Sequence, residues 1–297
     1  MRMIFSMSAL ILLMLMAPNL ASSQSPAIPP WIADFGGHHL VFSNLPYKRV
    51  GDRDLKLDVY QRTNIAGPAP TVFYIHGGGW VHGSPVWELR NMLPWMAMGW
   101  SVVSIEYRLL GEAPAPAAIQ DCRSALRWVA ENASKYHFDL TRLVIFGTSA
   151  GGELAFMTAM APPSAEFDGE SADRPLPKAA AIVNFSGAID VEELLRESPV
   201  RGNVADWVAA SADLARRVSP INYIRPGLPP IFTNNGDKDP IYPQAVRFHQ
   251  ALTQAGVPNQ LYTVRRGGHG GYSHEQNIEL FNALRGFLDR YHLNAAE

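Results

Sequence analysis

Cys122 is the one cysteine in 297 residues, so no internal disulfide can form and stability has to come from packing. An excess of one charge sign is missing too. The 25 Lys and Arg residues face 27 Asp and Glu with no basic run among them, which argues against nucleic acid or an anionic membrane as partner. Internal repeats and low-complexity tracts are absent. There is no HExxH, no cysteine pair and no metal-ligand spacing, so no metal is expected. The chain also lacks GK[ST] and GxGxxG spacing, which removes phosphate-loop and dinucleotide readings, and no cofactor is expected. Nor is there a hydrophobic run long enough to span a bilayer: the apolar stretch from Ile4 to Met16 falls short of the ~20 residues a spanning helix needs. Arg2 precedes it and Ala21 and Ser23 follow, the layout of a secretory signal peptide over residues 1–23. The expectation is therefore a secreted or periplasmic protein that starts near Gln24, without stable membrane insertion. No cysteine at the cleavage region offers itself for lipid attachment.

What is present is an ordinary globular composition, 47% hydrophobic and 18% charged, enough for one large domain. Leu55–Gln61 alternates apolar and polar residues as a half-buried strand does. Thr71–Ile75, Trp100–Tyr107 and the RLVIF run ending at Phe146 read as buried strands. Ala179–Gly187, Pro229–Gly236 and Asn259–Gly267 add three more candidates. Between them lie helical patterns. Pro116–Tyr136 carries Ile119, Cys122, Leu126 and Val129 on one face, and Pro243–Ala255 and Glu275–Tyr291 are the clearest of the later helices. Single strands alternating with helices predict an α/β protein with a mainly parallel sheet covered on both faces. Two segments do not fit the sheet: residues 24–46, a leader without clear period, and a charged, small-residue stretch of about 187–220. Both are expected to form a partial lid over a pocket mouth, with the main domain running from 47 to 293.

Chemistry concentrates in two short stretches. In VIFGTSAGGELA, Ser149 sits between Gly147 and Gly151 where a strand runs straight into a helix, a turn tight enough to hold its hydroxyl out above the sheet. In FYIHGGGWVHGS, three consecutive glycines would be a poor choice for a plain loop, since each costs backbone entropy. They make sense where backbone N–H groups approach a ligand oxygen. Gly77 and Gly78, with Ala150, are the expected donors to an oxyanion. Trp80 follows as a candidate wall of a substrate pocket, Trp87 and Trp95 as weaker ones. His76 is expected to brace its loop, and Glu153 to complement the positive end of the helix dipole.

These residues resemble the α/β-hydrolase superfamily, and within it the hormone-sensitive-lipase-like carboxylesterases and the acetylxylan and feruloyl esterase-like enzymes. HGGGW, EYRL, APAPAAIQDCRSALRWV, FGTSAGGELA and SPINYI…LPPIFTNNGDKDPIYP follow one another in the family's order over roughly Val50 to Tyr291. Two positions depart from it: Thr148, where the families often carry an acidic residue or serine, and NNG in place of the frequent HG before the acid. The resemblance implies an α/β-hydrolase fold with the chain order serine, acid, histidine. After Ser149 the histidines are His249, His269, His274 and His292, of which His249 and His292 fall in helix candidates and are expected as surface residues of amphipathic helices. His269 lies in the glycine-rich RRGGHGGYSHEQN after the last strand candidate and is the expected base; His274 is the fallback. The family pattern, a glycine, two variable residues and an aspartate, runs from Gly236 to Asp239, leaving Asp237 to bond turn backbone. Ser149, Asp239 and His269 are thus expected to form a catalytic triad.

The implied activity is hydrolysis, through an acyl-enzyme, of short acyl or aryl-acyl esters, including acetyl or feruloyl esters of saccharides. A small-molecule or saccharide ester is the expected partner. Two alternatives stay open on sequence alone. One is a serine peptidase of the prolyl-oligopeptidase type, and the other is a catalytically silent binding protein on the same fold.

Overall fold

The computed structural model describes residues 37–197 and 201–294. Strands β1 (His39–Val50), β2 (Arg53–Arg62), β3 (Ala69–Ile75), β4 (Ser101–Ile105), β5 (Phe138–Thr148), β6 (Ala181–Phe185), β7 (Ile231–Gly236) and β8 (Asn259–Val264) form one sheet. Their order is β1-β2-β4-β3-β5-β6-β7-β8. The β1–β2 and β2–β4 pairs are antiparallel and the others parallel. Every residue of β3, β4, β6 and β7 is buried, so none shows the alternation of a half-buried strand, although β7 carries the buried polar residues Thr233, Asn234 and Asn235.

Helices cover both faces. On one, α1 (Leu89–Ala97) and α8 (His274–Arg290) pack over Val72, Tyr74, Val102, Val144 and Phe146. On the other, α2 (Ala117–Glu131) and α3 (Ala150–Met160) pack over Phe73, Ile75, Val103, Leu143 and Ile145. The sets interleave along each strand because successive side chains point to opposite faces. Ile119, Cys122, Leu126 and Val129 turn inward on α2, each at most 1% exposed. That helix ends at Glu131, and Ala133–Tyr136 forms a separate short turn, so the long pattern read from Pro116 to Tyr136 is broken at Asn132.

The lid expectation meets two outcomes. From His39 onward the supposed leader is β1, an edge strand paired with β2 far along the sheet from β5, so the main domain begins before residue 47. Its register shifts at Phe42–Leu45 and Pro46–Lys48, irregularities that break the two-residue period and hide the strand from a sequence reading. Residues 1–36, including the expected signal peptide, lie outside the described residues. The second segment folds as α4 (Val191–Glu197), α5 (Arg201–Trp207) and α6 (Ala212–Arg217). Val204, Trp207 and Val208 are fully buried and dock it on the core, and Leu194 and Asn203 line a cavity at Ser149. Helix α7 (Tyr242–Gln254) packs Phe248 and Leu252 with Phe156, Ile182 and Ile231. No described helix is long and apolar enough to cross a membrane.

Candidate active site

Ser149 joins β5 to α3 with φ 51° and ψ −121°, a left-handed turn that a side chain rarely adopts. The residues two positions to either side must be glycine. A Cβ on Gly147 would lie 1.9 Å from the Gly151 carbonyl oxygen, and one on Gly151 would lie 2.2 Å from that of Ile75. The Ser149 N–H donates to Phe185 O at 2.8 Å, tying the turn to β6.

The Ser149 hydroxyl lies 2.8 Å from His269 Nε2, and His269 Nδ1 lies 2.9 Å from Asp239 Oδ2. A carboxylate can only accept, so in the neutral ring Nδ1 carries the hydrogen and Nε2 is left to accept from the serine. His269 is 46% exposed at its side chain and Asp239 1%, so the ring sits at the mouth while its carboxylate is held inside. Asp239 also accepts from the Ile241 N–H at Oδ1 and from Asn235 Nδ2 at Oδ2. That second bond gives a purpose to one residue of the unusual NNG. The other, Asn234, donates to the Tyr272 hydroxyl at 3.0 Å. Gly236 lets the two loops meet, because a Cβ there would lie 2.1 Å from Gly267 O.

The structure thus brings three of the expected residues into one hydrogen-bonded line and leaves the rival histidines out of it. His274 is exposed at the first turn of α8, and His292 follows the end of that helix. His249 is buried, with Nδ1 on Asn259, and burial lowers its pKa to about 4; the expectation of a surface position fails because α7 turns it under β8. Asp237 accepts from the Arg266 N–H at 2.7 Å, the turn contact expected of it.

The expected oxyanion donors need a correction. The Gly77 N–H is already engaged, donating to Glu88 Oε2 at 2.9 Å, so it is not free for a ligand. Gly78 and Gly79 have φ of 116° and 60°, and their N–H groups, like that of Ala150, have no hydrogen-bond partner among the described residues. Gly79 and Ala150 line the cavity at Ser149. His76 braces the loop, with Nδ1 2.7 Å from Gly77 O and its ring stacked on Tyr107. Glu153, expected to complement the helix dipole, is fully buried at the start of α3, and burial pushes its pKa well up. Its Oε2 accepts from the Trp80 indole N–H at 3.2 Å, joining the loop to α3. Trp80 is 4% exposed and stacked on Trp207, so it forms part of a fixed wall. Trp95 is core, and Trp87 is exposed.

Two cavities meet at Ser149 and His269. The narrower, about 290 Å³, is lined by Trp80, Ala188, Leu194, Pro240 and Ile241 and is almost wholly apolar. The wider, about 630 Å³, runs between α1 and α8 and presents Asn91, Asn277 and Asn282 with Tyr272 and Phe281. Among the described residues no group of three His, Cys, Asp or Glu is placed to hold a metal ion. Glu88, Gly79 and Tyr272 were not foreseen. Only Gly79 carried a signal, as the third glycine of its run.

Comparison with known proteins bears on the whole arrangement. A family model described as BD-FAE matches residues 57–252. Esterase LipQ of Mycobacterium tuberculosis is 30% identical over 240 residues, 77% of this chain but 57% of LipQ, so the chain spans little more than half the length of that relative. Carboxylesterase NlhH of the same organism is 31% identical over 248 residues, covering 73% of each chain. Among solved structures, Thermogutta terrifontis esterase 2 with propionate bound superposes with a TM-score of 0.72 at 25% identity, over 89% of this chain and 98% of that one. On these matches the chain belongs to the BD-FAE family and has the α/β-hydrolase fold.

Proposed function

We propose that the protein is an exported serine carboxylesterase that cleaves short acyl esters of saccharides through an acyl-enzyme. The hydrogen-bonded line from Ser149 through His269 to Asp239 carries this reading. Ser149 Oγ attacks the ester carbonyl as its proton passes to His269 Nε2. Asp239, bonded to Nδ1–H, holds the tautomer and stabilises the imidazolium. The carbonyl oxygen becomes an oxyanion facing the N–H groups of Gly78, Gly79 and Ala150; each such donor is worth about 3 to 4 kcal/mol. The alcohol leaves with the proton from His269. Water, deprotonated by the same imidazole, then attacks the acyl-enzyme; the carboxylic acid leaves as the bond to Ser149 Oγ breaks, and His269 returns the proton to Ser149.

The two cavities support a division of the substrate. A short acyl group suits the apolar cavity beside Gly79 and Ala150. The amide-rimmed groove, with Tyr272 and Phe281 as ring surfaces, suits a hydroxylated ring on the alcohol side. Relatives named as esterases and carboxylesterases support the reaction class. Export rests on the apolar stretch and small residues before Gln24.

A fluorophosphonate probe followed by peptide mass spectrometry tests the nucleophile, and the adduct is expected on Ser149. A panel of acetylated and feruloylated saccharides, run beside p-nitrophenyl esters and aminoacyl anilides, tests the substrate. Cleavage of anilides in preference to esters would move the protein to the peptidases. Export is checked by the N-terminus of the protein recovered outside the cytoplasm, expected near Gln24.

A further inference from the structure

Three glycines in a row have no stiffness of their own, yet an oxyanion hole works only if its donors are aimed before the reaction begins. Something outside the run has to hold it. Gly77 is gripped on both sides. Its N–H donates to Glu88 Oε2 at 2.9 Å, and its carbonyl accepts from His76 Nδ1 at 2.7 Å. That carbonyl and the Gly78 N–H belong to one planar peptide unit, so pinning the oxygen sets the direction of the donor. The same Glu88 oxygen accepts from the Tyr74 hydroxyl at 2.6 Å and from the hydroxyl of Thr148, the residue before the nucleophile. The two segments are in contact at this point: a Cβ on Gly77 would lie 3.3 Å from Ser149 Cβ. Glu88 therefore joins the first glycine of the loop to the turn that carries the serine, through a carboxylate 17% exposed and far from its neighbours in sequence.

We propose that Glu88 is the positioning residue of the oxyanion loop, a carboxylate that clamps Gly77 to Thr148 and so aims the Gly78 and Gly79 N–H groups at the oxygen developing beside Ser149. It touches no reacting atom. One oxygen takes three donors, a load that suits an ionised carboxylate, which only accepts, better than a neutral amide. Because the aim of the donors matters in the transition state and little for the bound ester, its loss is felt in kcat. The inference rests on the reading of Ser149 as nucleophile.

The test uses the full-length protein, p-nitrophenyl butyrate and an alkyl trifluoromethyl ketone, which forms a tetrahedral adduct on an active serine. In Glu88→Ala, kcat is expected to fall about 100-fold, the scale of one lost oxyanion donor, with KM within about threefold of wild type. The ketone's Ki is expected to rise by the same factor as kcat/KM falls, which a merely structural role would not produce. Glu88→Gln preserves shape and guards against a variant that does not fold; there kcat is expected to fall about tenfold with the same parallel rise in Ki. A Glu88→Gln protein with wild-type kcat and Ki would overturn the proposal. So would a Glu88→Ala loss confined to KM, or a loss of kcat without a change in Ki. Fluorophosphonate labelling of the wild type separates the two levels. No adduct on Ser149 sinks the nucleophile itself, whereas an adduct together with unperturbed Glu88 variants sinks only this inference.

Discussion

Replacing Leu194 with alanine is expected to lengthen the acyl chain that the protein prefers, by an amount set by the cavity beside Ser149. That cavity holds about 290 Å³. At about 30 Å³ for each small non-hydrogen atom, the share a water takes in the liquid, it accommodates roughly ten such atoms. Up to that length each methylene buried is worth about 0.8 kcal/mol, about fourfold in kcat/KM if the contact is held in the transition state. Beyond it the chain has nowhere apolar to go. Across p-nitrophenyl esters, kcat/KM should therefore climb from acetate through butyrate, level off near the filled length and fall steeply by palmitate. No jump should appear above the solubility limit, because α4 to α6 offer charged and small residues where an interfacial lipase needs a broad apolar face. Leu194 is 6% exposed and its side chain closes part of the cavity. Removing three carbons makes room for about three more on the substrate, at a stability cost of about 2–5 kcal/mol, so rates should be read well below the variant's melting temperature. An unchanged optimum in Leu194→Ala, or wild-type rates that keep rising to palmitate, would refute the assignment of this cavity to the acyl group.

Other outcomes follow from individual residues. Ser149→Ala and His269→Ala should each lower kcat by several orders of magnitude with the fold intact, since members of the line act as a unit, and near-identical melting curves would check the fold. Asp239→Asn should cost on the order of 10⁴ in kcat through the wrong imidazole tautomer, while Asp237→Asn, at a carboxylate that accepts from the Arg266 N–H, should stay within about tenfold of wild type. His249 links stability to pH. Burial takes its pKa from 6.5 to about 4, so between those values the unfolded chain holds a proton that the folded chain does not. Stability should fall as pH falls through that window, by up to about 3 kcal/mol. Urea midpoints at pH 7 and pH 4.5 should show wild type losing more than His249→Gln, and equal losses would refute the buried neutral ring.

Most of the sheet was legible because its central strands are buried on both faces and so appear as short apolar runs. β1 was not, because its bulges and Pro46 destroy the alternation by which a half-buried strand is recognised. Ser149 and His269 were legible for a different reason: both need glycine beside them, and glycine is visible at a glance. His249 shows the limit of that approach. Helical periodicity places a residue on a face but does not say what the face meets, and here it meets Asn259 under the sheet edge.

The triple-glycine loop shows the same limit in sharper form. Three identical glycines leave nothing local to say which N–H groups face the substrate, and the expectation of Gly77 failed on this point. The choice is made by partners 11 residues away along the chain for Gly77 and 60 for Thr148, both meeting at one carboxylate. Thr148 looked like no more than a departure from the family's pattern. With Glu88 in place it is instead the hydroxyl that a carboxylate from another element needs as its donor. An acid at position 148 would set two carboxylates against each other at that point, and a residue without a donor at 148 would leave Glu88 short of one partner. The identity of residue 148 is therefore tied to that of residue 88. A nucleophile announces itself in its own five residues, but the groups that stabilise its transition state take their direction from side chains only the folded chain brings near.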